Sequence, residues 1–404
     1  MADRTYLDWP FFEPSHREIA ERIGAWAADA GSAAADTERD LAGLCRMLAR
    51  RLGEAGWLRH AVGDGGSGAR ARLDVRTLCL IREALAQQSG VLDFVFALQG
   101  LGSGPIALFG TEPQKRAVLP GIASGERIAA FAITERQAGS DIAAMQMTAR
   151  RDGEAWILDG SKQWISNAGL ADHYVTFCRL PGEGELAFGA FIVDAGTAGL
   201  EAAADVEMIA PHVLGSVRFE GCRVPAAAML GGPGDGLRIA LATLDVFRPT
   251  VGAAALGFAR RALDEAATHA RARTVFGRLL SEHQMTQARI ADMAVDIDAA
   301  ALLVYRAAWA HDRGAGRTTR EAAMAKLFAT EAAQRVVDSA VQLVGARGVQ
   351  RGDPVERLYR EVRALRIYEG TSEIQKIVIA GRVLNAYARP DVDVPGARTD
   401  TTRG

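Results

Sequence analysis

Neither sign of charge prevails in this sequence: 47 Lys and Arg stand against 49 Asp and Glu, for a net charge of −2. Nothing in that balance points to nucleic acid. Cysteine is sparse. Cys45, Cys79, Cys178 and Cys222 are scattered, with no C-x-x-C pair, and each sits near apolar residues. They read as reduced core thiols of a cytosolic protein, which sets the expected location as cytoplasmic. Met1 to Ala20 has no long apolar run and contains Asp8, Pro10, Glu13 and Pro14, which argues against a signal peptide. No stretch of membrane-spanning length is free of charges, so no membrane span is expected. Also missing are an internal repeat and a G-x-G-x-x-G following a strand. The glycine-rich stretch Gly63 to Gly68 has no P-loop lysine and reads as a plain turn. A dinucleotide cofactor, if there is one, is not held by a Rossmann unit.

What is present is a chain of 404 residues, long enough for two or three domains, with nearly half its residues apolar. Its texture changes twice. Ile19–Ala28, Leu41–Leu52, Val75–Gln87 and Gln114–Ala123 carry apolar residues at helical spacing. From Ile128 short alternating runs take over: Met145–Arg150, Ala155–Asp159, Tyr174–Arg179, Leu186–Asp194 and Ser216–Glu220. Asp152-Gly153 is a hairpin signal between the first two. The breaker cluster Gly231-Gly232-Pro233-Gly234 closes that region. Long Ala-rich helical stretches then span Leu237–Ala272, Glu282–Arg313, Glu321–Leu343 and Val355–Ala364, with one more helix after Ser372. Short connections between long helices suggest a bundle. The reading is a mainly α chain with a central β domain: an N-terminal helical domain over 1–127, a middle antiparallel β domain over 128–232, a C-terminal helical bundle over 233–388, and a polar, disordered tail over 389–404.

Six short segments stand out, and each has an ordinary structural reading beside a functional one. Glu369, in Tyr368-Glu369-Gly370-Thr371-Ser372, lies where a glycine allows close approach of a ligand. Ser372 and Gln375 form an S-x-x-Q box opening a helix whose stripe is Ile374, Ile377, Val378, Val383 and Leu384, so Glu369 is expected at the entry of a buried helix. The ordinary reading is a solvated first-turn acid. Phe131 to Asp141 places Thr134 and Ser140 around Gly139, a donor-rich loop for an anion or heteroaromatic ring, or else a simple turn. In Ser161 to Asn167, Trp164 could stack on a planar ring while Ser166 donates to it, or the segment is a hairpin end. Asp245 and Arg248 are spaced i,i+3 before Pro249, which would kink the helix; alternatively they form a surface ion pair. Arg273-Thr274-Val275-Phe276-Gly277, with Gln284, would suit a phosphate, or is a solvated basic run. Gln342 to Gly348 has glycines that bare backbone amides, or Gly345 is simply a helix C-cap.

In this order and at these separations the segments resemble the acyl-CoA dehydrogenase family, from about Gly56 to Arg382. The resemblance implies a helical domain, a β domain and a four-helix bundle. It also implies non-covalent FAD and a homotetramer of paired dimers. It further implies that Glu369, matching the family's glutamate, removes the pro-R α-proton of an acyl-CoA thioester, that a hydride passes to the flavin, and that electrons leave to an electron-transferring flavoprotein. Position by position, it implies a flavin bed of Phe131, Ile133, Thr134, Gly139 and Ser140, with Trp164 and Ser166 near the ring. Arg273, Phe276 and Gln284 match positions that reach the FAD of a partner subunit. Gln342, Gly345 and Ala346 match the adenine-side loop, and Thr371 and Glu373 match FAD contacts beyond the base. Ser140, Asp245, Arg248 and Gly370 match acyl-CoA contacts, and Phe94 to Leu101 stands as the acyl pocket wall. Departures occur at Arg136-Gln137, Ala346-Arg347 and Gly352-Asp353, where altered loop detail is expected. A same-fold flavin oxidase or monooxygenase, an acyl-carrier-protein-linked dehydrogenase, and a flavin-bearing nucleic-acid-binding protein remain as alternatives. Because a helix N-terminus favours the carboxylate, an upward shift of the Glu369 pKa is expected mainly with substrate bound.

Overall fold

Short polar side chains start most of the N-terminal helices by accepting from backbone amides that the helix leaves unpaired. In the computed structural model, which describes residues 4–33, 40–63, 73–182 and 187–387, these helices are α1 (Pro14–Ala33), α2 (Leu41–Glu54), α3 (Leu58–Val62), α4 (Val75–Gln88), α5 (Gly90–Phe109) and α6 (Glu112–Ala123). Asp40, Asp74 and Ser89 cap α2, α4 and α5, and Thr111 with Gln114 forms a capping box on α6. The glycine-rich stretch beyond Gly63 and the tail from 389 lie outside the described residues.

The periodicity of the sequence does not single out α5, because Gly100, Gly102, Gly104 and Pro105 interrupt it. The structure explains those glycines. A Cβ at Gly102 would lie 2.7 Å from the Ala129 Cβ and 2.8 Å from the Ala130 nitrogen. At Gly100 and Gly104 it would lie 2.7 Å from the Phe247 ring. Helix α5 therefore passes in direct contact with the first strand and with the long helix of the bundle. By length and composition α5 could cross a membrane, as could the bundle helix Gly236–Ala272, but both are mostly buried within the fold.

The middle region is one eight-stranded sheet. Its strands are β1 (Ala129–Ala132), β2 (Thr148–Asp152), β3 (Ala155–Ser166), β4 (His173–Arg179), β5 (Phe188–Asp194), β6 (Leu200–Ala203), β7 (Leu214–Pro225) and β8 (Met229–Leu230). They run in the order β6-β7-β3-β2-β4-β5-β8, with β1 on β4. The expected hairpin is there: Asp152 pairs with Ala155 around Gly153 at φ +59°. The ladder is antiparallel except where β1 joins β4 in parallel, from Ala129↔His173 to Ala132↔Thr176, and where Thr148 of β2 meets Arg179. Strand β1 arrives from the helical domain with no hairpin to set an antiparallel direction. Strand β3 runs on past Asp159, and its register slips between Lys162 and Ile165, at Trp164.

The bundle comprises α7 (Gly236–Ala272), α8 (Gln284–Asp312), α9 (Thr319–Val344), α10 (Pro354–Leu365) and α11 (Ser372–Tyr387). A two-residue-per-strand hairpin, β9 (Thr274–Val275) and β10 (Arg278–Leu279), joins α7 to α8. Val251 to Ala259 is buried throughout, as the small residues there suggest: a Cβ on Gly257 would meet the Glu83 carbonyl at 2.3 Å. Helix α7 continues through Pro249. Helix α11 differs from expectation. Only Ser372 and Gln375 are buried; of its apolar stripe, Ile374, Val378 and Val383 are half-buried, while Ile377 and Leu384 are 66% and 68% exposed among the described residues.

Gln99, expected in the acyl pocket wall, instead ties α5 to β1. Its amide donates to the Arg127 carbonyl at 2.7 Å, and its oxygen accepts from the Ala129 N–H at 2.8 Å. Replacing Gln99 by Met leaves both backbone groups buried and unpaired. The expected loss is about 1–3 kcal/mol for each orphaned group, read as a lower midpoint in chemical denaturation.

Candidate active site

Helix α10 ends at Leu365 and the chain turns through Tyr368 into Glu369, which adopts φ +54°, followed by Gly370 at φ +90°. A non-glycine residue at positive φ is strained unless its surroundings hold it. Three side chains do so. Arg248 Nε donates to the Glu369 carbonyl at 3.3 Å, Lys326 Nζ donates to the Gly370 carbonyl at 2.7 Å, and Gln375 Nε2 reaches both carbonyls, at 3.1 and 3.0 Å. The S-x-x-Q box does not form. Thr371 caps α11 by accepting from the Ile374 N–H at 3.3 Å, and Ser372, already helical, donates to Glu331 at 2.5 Å. Gln375 is drawn backward because two inward-facing carbonyls need a donor.

Glu369 is half-buried, and its Oε2 is enclosed without a hydrogen-bond partner. Burial pushes its pKa up, and the positive charges of Arg82, Lys326 and Arg248 hold part of that rise back. The upward direction is thus present without substrate. Desolvation outweighs the helix N-terminus, since the carboxyl is enclosed by protein and does not cap α11. Sequence reading missed Arg82 and Asp93. They form a bidentate pair at 2.8 and 2.7 Å, buried between α4 and α5, and Arg82 also donates to Thr250 on α7 at 3.0 Å. It missed Lys326 as well. A charge at an otherwise apolar helical position was the one signal available for all three.

Asp245 and Arg248 are not a solvated surface pair. Arg248 is 5% exposed, lies 3.2 Å from Asp245, and binds the Glu369 loop, while Asp245 also accepts from Thr319 at 2.6 Å. With Arg317, Thr319, Ile377 and Arg382 they line a cavity of about 270 Å³. A larger one, of about 890 Å³, lies beside α10 and the 204–214 segment and contains none of the predicted site residues. In the expected pocket wall, Phe94 is buried and stacks on His212 at 4.4 Å.

The second cluster is built on β1 and β3. Phe131 is buried against Phe177 at 4.9 Å, and Ile133 and Thr134 continue the strand direction, half-buried. The loop beyond is clamped by Glu135. Its buried carboxylate accepts from Lys162 at 2.8 Å, from the Gln146 and Met147 amides at 2.7 and 3.0 Å, and from Gln137 at 2.9 Å. Gln163 N–H donates to the Thr134 carbonyl at 2.9 Å, which sets Thr134 beside the Trp164 bulge. Gly139 and Ser140 are exposed, and a side chain at Gly139 would meet nothing within 4 Å. Trp164 is 49% exposed at φ +55°, and Ser166 is half-buried at the end of β3. An open indole face, hydroxyls on Thr134, Ser140 and Ser166, and free space at Gly139 fit a planar ring with a polar edge. That donor set suits FAD.

The remaining predicted cofactor residues lie elsewhere. Arg273, Phe276 and Gln284 sit around the α7–α8 hairpin, and Gln342, Gly345 and Ala346 at the end of α9; all are exposed. Phe276 is 94% exposed at φ +50°. They are carried by different elements from the first cluster. Thr371 is the α11 cap, and Glu373 is exposed in its first turn.

The enclosed carboxyl of Glu369 has a consequence for stability. Its folded-state pKa is raised, so it opposes folding little below the unfolded value, near 4.3. The opposition grows as pH rises toward the raised value. Glu369→Gln is therefore expected to raise Tm at pH 7 by about 1–4 °C, with a smaller gain at pH 4, measured by calorimetry.

Three adjoining stretches of the chain match acyl-CoA dehydrogenase domains: the N-terminal domain over residues 13–126, the middle domain over 130–222 and the C-terminal domain over 234–384. An acyl-CoA dehydrogenase of Bacillus subtilis is 37% identical over 344 residues, 84% of this chain and 89% of that protein. The butyryl-CoA dehydrogenase of Megasphaera elsdenii superposes with a TM-score of 0.82 at 33% identity, over 91% of this chain and 98% of that one. The acyl-CoA dehydrogenase of Bacillus anthracis, solved with FAD, superposes with a TM-score of 0.85 at 29% identity, over 97% of this chain and 71% of that one. The clamped β1 and β3 cluster, the buttressed Glu369 turn and these likenesses agree: the chain is an oxidoreductase that belongs to the acyl-CoA dehydrogenase family.

Proposed function

We propose that this chain desaturates a short-chain acyl-CoA thioester between Cα and Cβ to the trans-2-enoyl-CoA, with Glu369 as the α-proton-abstracting base. The observation that carries the reading is the Glu369 carboxyl itself: enclosed at Oε2, unpartnered there, and shifted toward the protonated form by burial. A carboxylate in that state is a stronger base than one in water, which a weakly acidic thioester α-proton requires. The proton passes to a Glu369 carboxylate oxygen as the Cα–H pair becomes the new double bond. The β1 and β3 cluster would hold FAD, whose chemistry would supply the acceptor for the hydride leaving Cβ.

The other residues bind, orient and exclude water. Arg248, Lys326 and Gln375 keep the Glu369 turn in its left-handed form. The Glu369 amide makes no backbone hydrogen bond among the described residues, so it can donate to a thioester oxygen as negative charge develops there. Thr134, Ser140, Trp164 and Ser166 are assigned to the flavin, and Thr371 and Glu373 to its contacts beyond the base. Asp245 and Arg248, with the arginines of their cavity, suit the anionic and amide groups of a coenzyme A thioester. The short-chain assignment follows the butyryl-CoA dehydrogenase likeness.

Exposed Phe276, Met285, Ile377, Leu384 and Tyr387 support assembly into a homotetramer, in which Arg273, Phe276 and Gln284 reach the partner's cofactor, while Gln342, Gly345 and Ala346 are assigned to the adenine-side loop. The electron acceptor assigned is an electron-transferring flavoprotein, and the assigned location is cytoplasmic.

The test is an anaerobic visible titration of the flavin-loaded protein with saturated acyl-CoAs of increasing length. Butyryl-CoA is expected to bleach the flavin band. Glu369→Gln should retain the flavin and lose at least about 10²–10⁴ in the bleaching rate. Unchanged bleaching by that variant removes Glu369 from the role.

A further inference from the structure

Lys326 lies on α9 with its side chain wholly buried. The other fully buried lysine, Lys162, meets the carboxylate of Glu135 at 2.8 Å. Lys326 differs: its ammonium donates to a neutral acceptor, the Gly370 carbonyl, at 2.7 Å. Burying a cation against a carbonyl costs several kcal/mol of hydration that an apolar side chain would not lose, about the penalty of any enclosed ion. Packing alone therefore does not account for a lysine here.

Its surroundings indicate what it does. Facing it are Glu369 in the turn, Arg248 on α7, Glu331 on α9 and Glu373 on α11. Of the three side chains that grip the turn, Gln375 is neutral and Arg248 also pairs with Asp245. Lys326 is the one that brings an unshared positive charge to the turn from the bundle. We propose that Lys326 is a positioning residue for Glu369: its ammonium draws the Gly370 carbonyl onto α9, sustains the left-handed turn, and sets a positive charge beside the carboxylate. In the kinetic arm below the inference rests on the function proposed above; in the titration arm it stands by itself. Burial lowers the Lys326 pKa to about 8, so the grip has its own pH range. It is near complete well below pH 8, is half lost at about that pH and weakens further as the lysine loses its proton above it.

The experiment uses the flavin-loaded protein labelled with [5-¹³C]glutamate and [ε-¹⁵N]lysine, with the Glu369 and Lys326 signals identified by Glu369→Gln and Lys326→Met. In the wild type the Lys326 nitrogen should titrate near pH 8. Lys326→Met should move the Glu369 carboxyl midpoint up by about 1–3 pH, and Lys326→Arg should return it toward wild type. With an acyl-CoA that bleaches the flavin, Lys326→Met should lower kcat/KM by about 10–100-fold at unchanged flavin content. It should also abolish the decline of wild-type kcat/KM above pH 8. A Glu369 midpoint that stays put in folded Lys326→Met overturns the proposal, whatever happens to Tm. If that variant does not fold, the wild type decides: a Lys326 midpoint near 10.4, the value in water, or a flat alkaline profile, overturns it. Failure of every acyl-CoA to bleach the flavin would count against the proposed function, while the carboxyl titration would still decide the role of Lys326.

Discussion

Two backbone carbonyls, those of Glu369 and Gly370, organise the bundle side of the candidate site. Both belong to a turn in which Glu369 and Gly370 adopt positive φ, and both are met by donors from the bundle. An inward carbonyl must find a donor or lose the energy of a hydrogen bond to water. Arg248 from α7, Lys326 from α9 and Gln375 from α11 converge on them. The turn thus locks three bundle helices together, and in return the helices hold a strained glutamate with its carboxyl enclosed.

The β1 and β3 cluster repeats the device with the signs exchanged. There the central group is an anion, Glu135, and the donors are Lys162 and the amides of Gln146 and Met147. A satisfied buried carboxylate is rigid because each of its acceptor sites fixes a different strand or loop. Thr134 and Trp164 inherit that rigidity through the bond from Gln163 to the Thr134 carbonyl. Arg136-Gln137, one of the departures in sequence, is absorbed without loss. Gln137 adds a donor to the same carboxylate, and Arg136 faces solvent.

Between the two runs α5, and its glycines set the spacing. Gly102 lets the helix lie against Ala129 and Ala130, while Gly100 and Gly104 accept the Phe247 ring. Gln99 supplies the hydrogen bonds that β1, entering in parallel, takes from no hairpin neighbour. The face of α5 that looked like pocket lining is therefore partly a joint.

Much of this was legible in one dimension because its causes are local. Periodicity found the helices of the bundle to within a few residues, Asp152-Gly153 marked a hairpin, and Tyr-Glu-Gly-Thr marked a turn that a ligand can approach. Each depends on residues adjacent in the chain. What the sequence alone could not specify depends on residues far apart in it. Arg82 and Asp93 become a pair only when α4 and α5 are packed, and Arg248 is buried only when α7 meets the Glu369 turn. Ser372 is not the cap because Thr371 takes that place and the Ser372 hydroxyl donates to Glu331 from across the bundle, and Ile377 and Leu384 of α11 stay exposed among the described residues. The chain by itself determined the order of elements, the family and the identity of the candidate base. Only the tertiary structure decided the electrostatics of that base, because burial and charge depend on distance in space and not on separation along the chain.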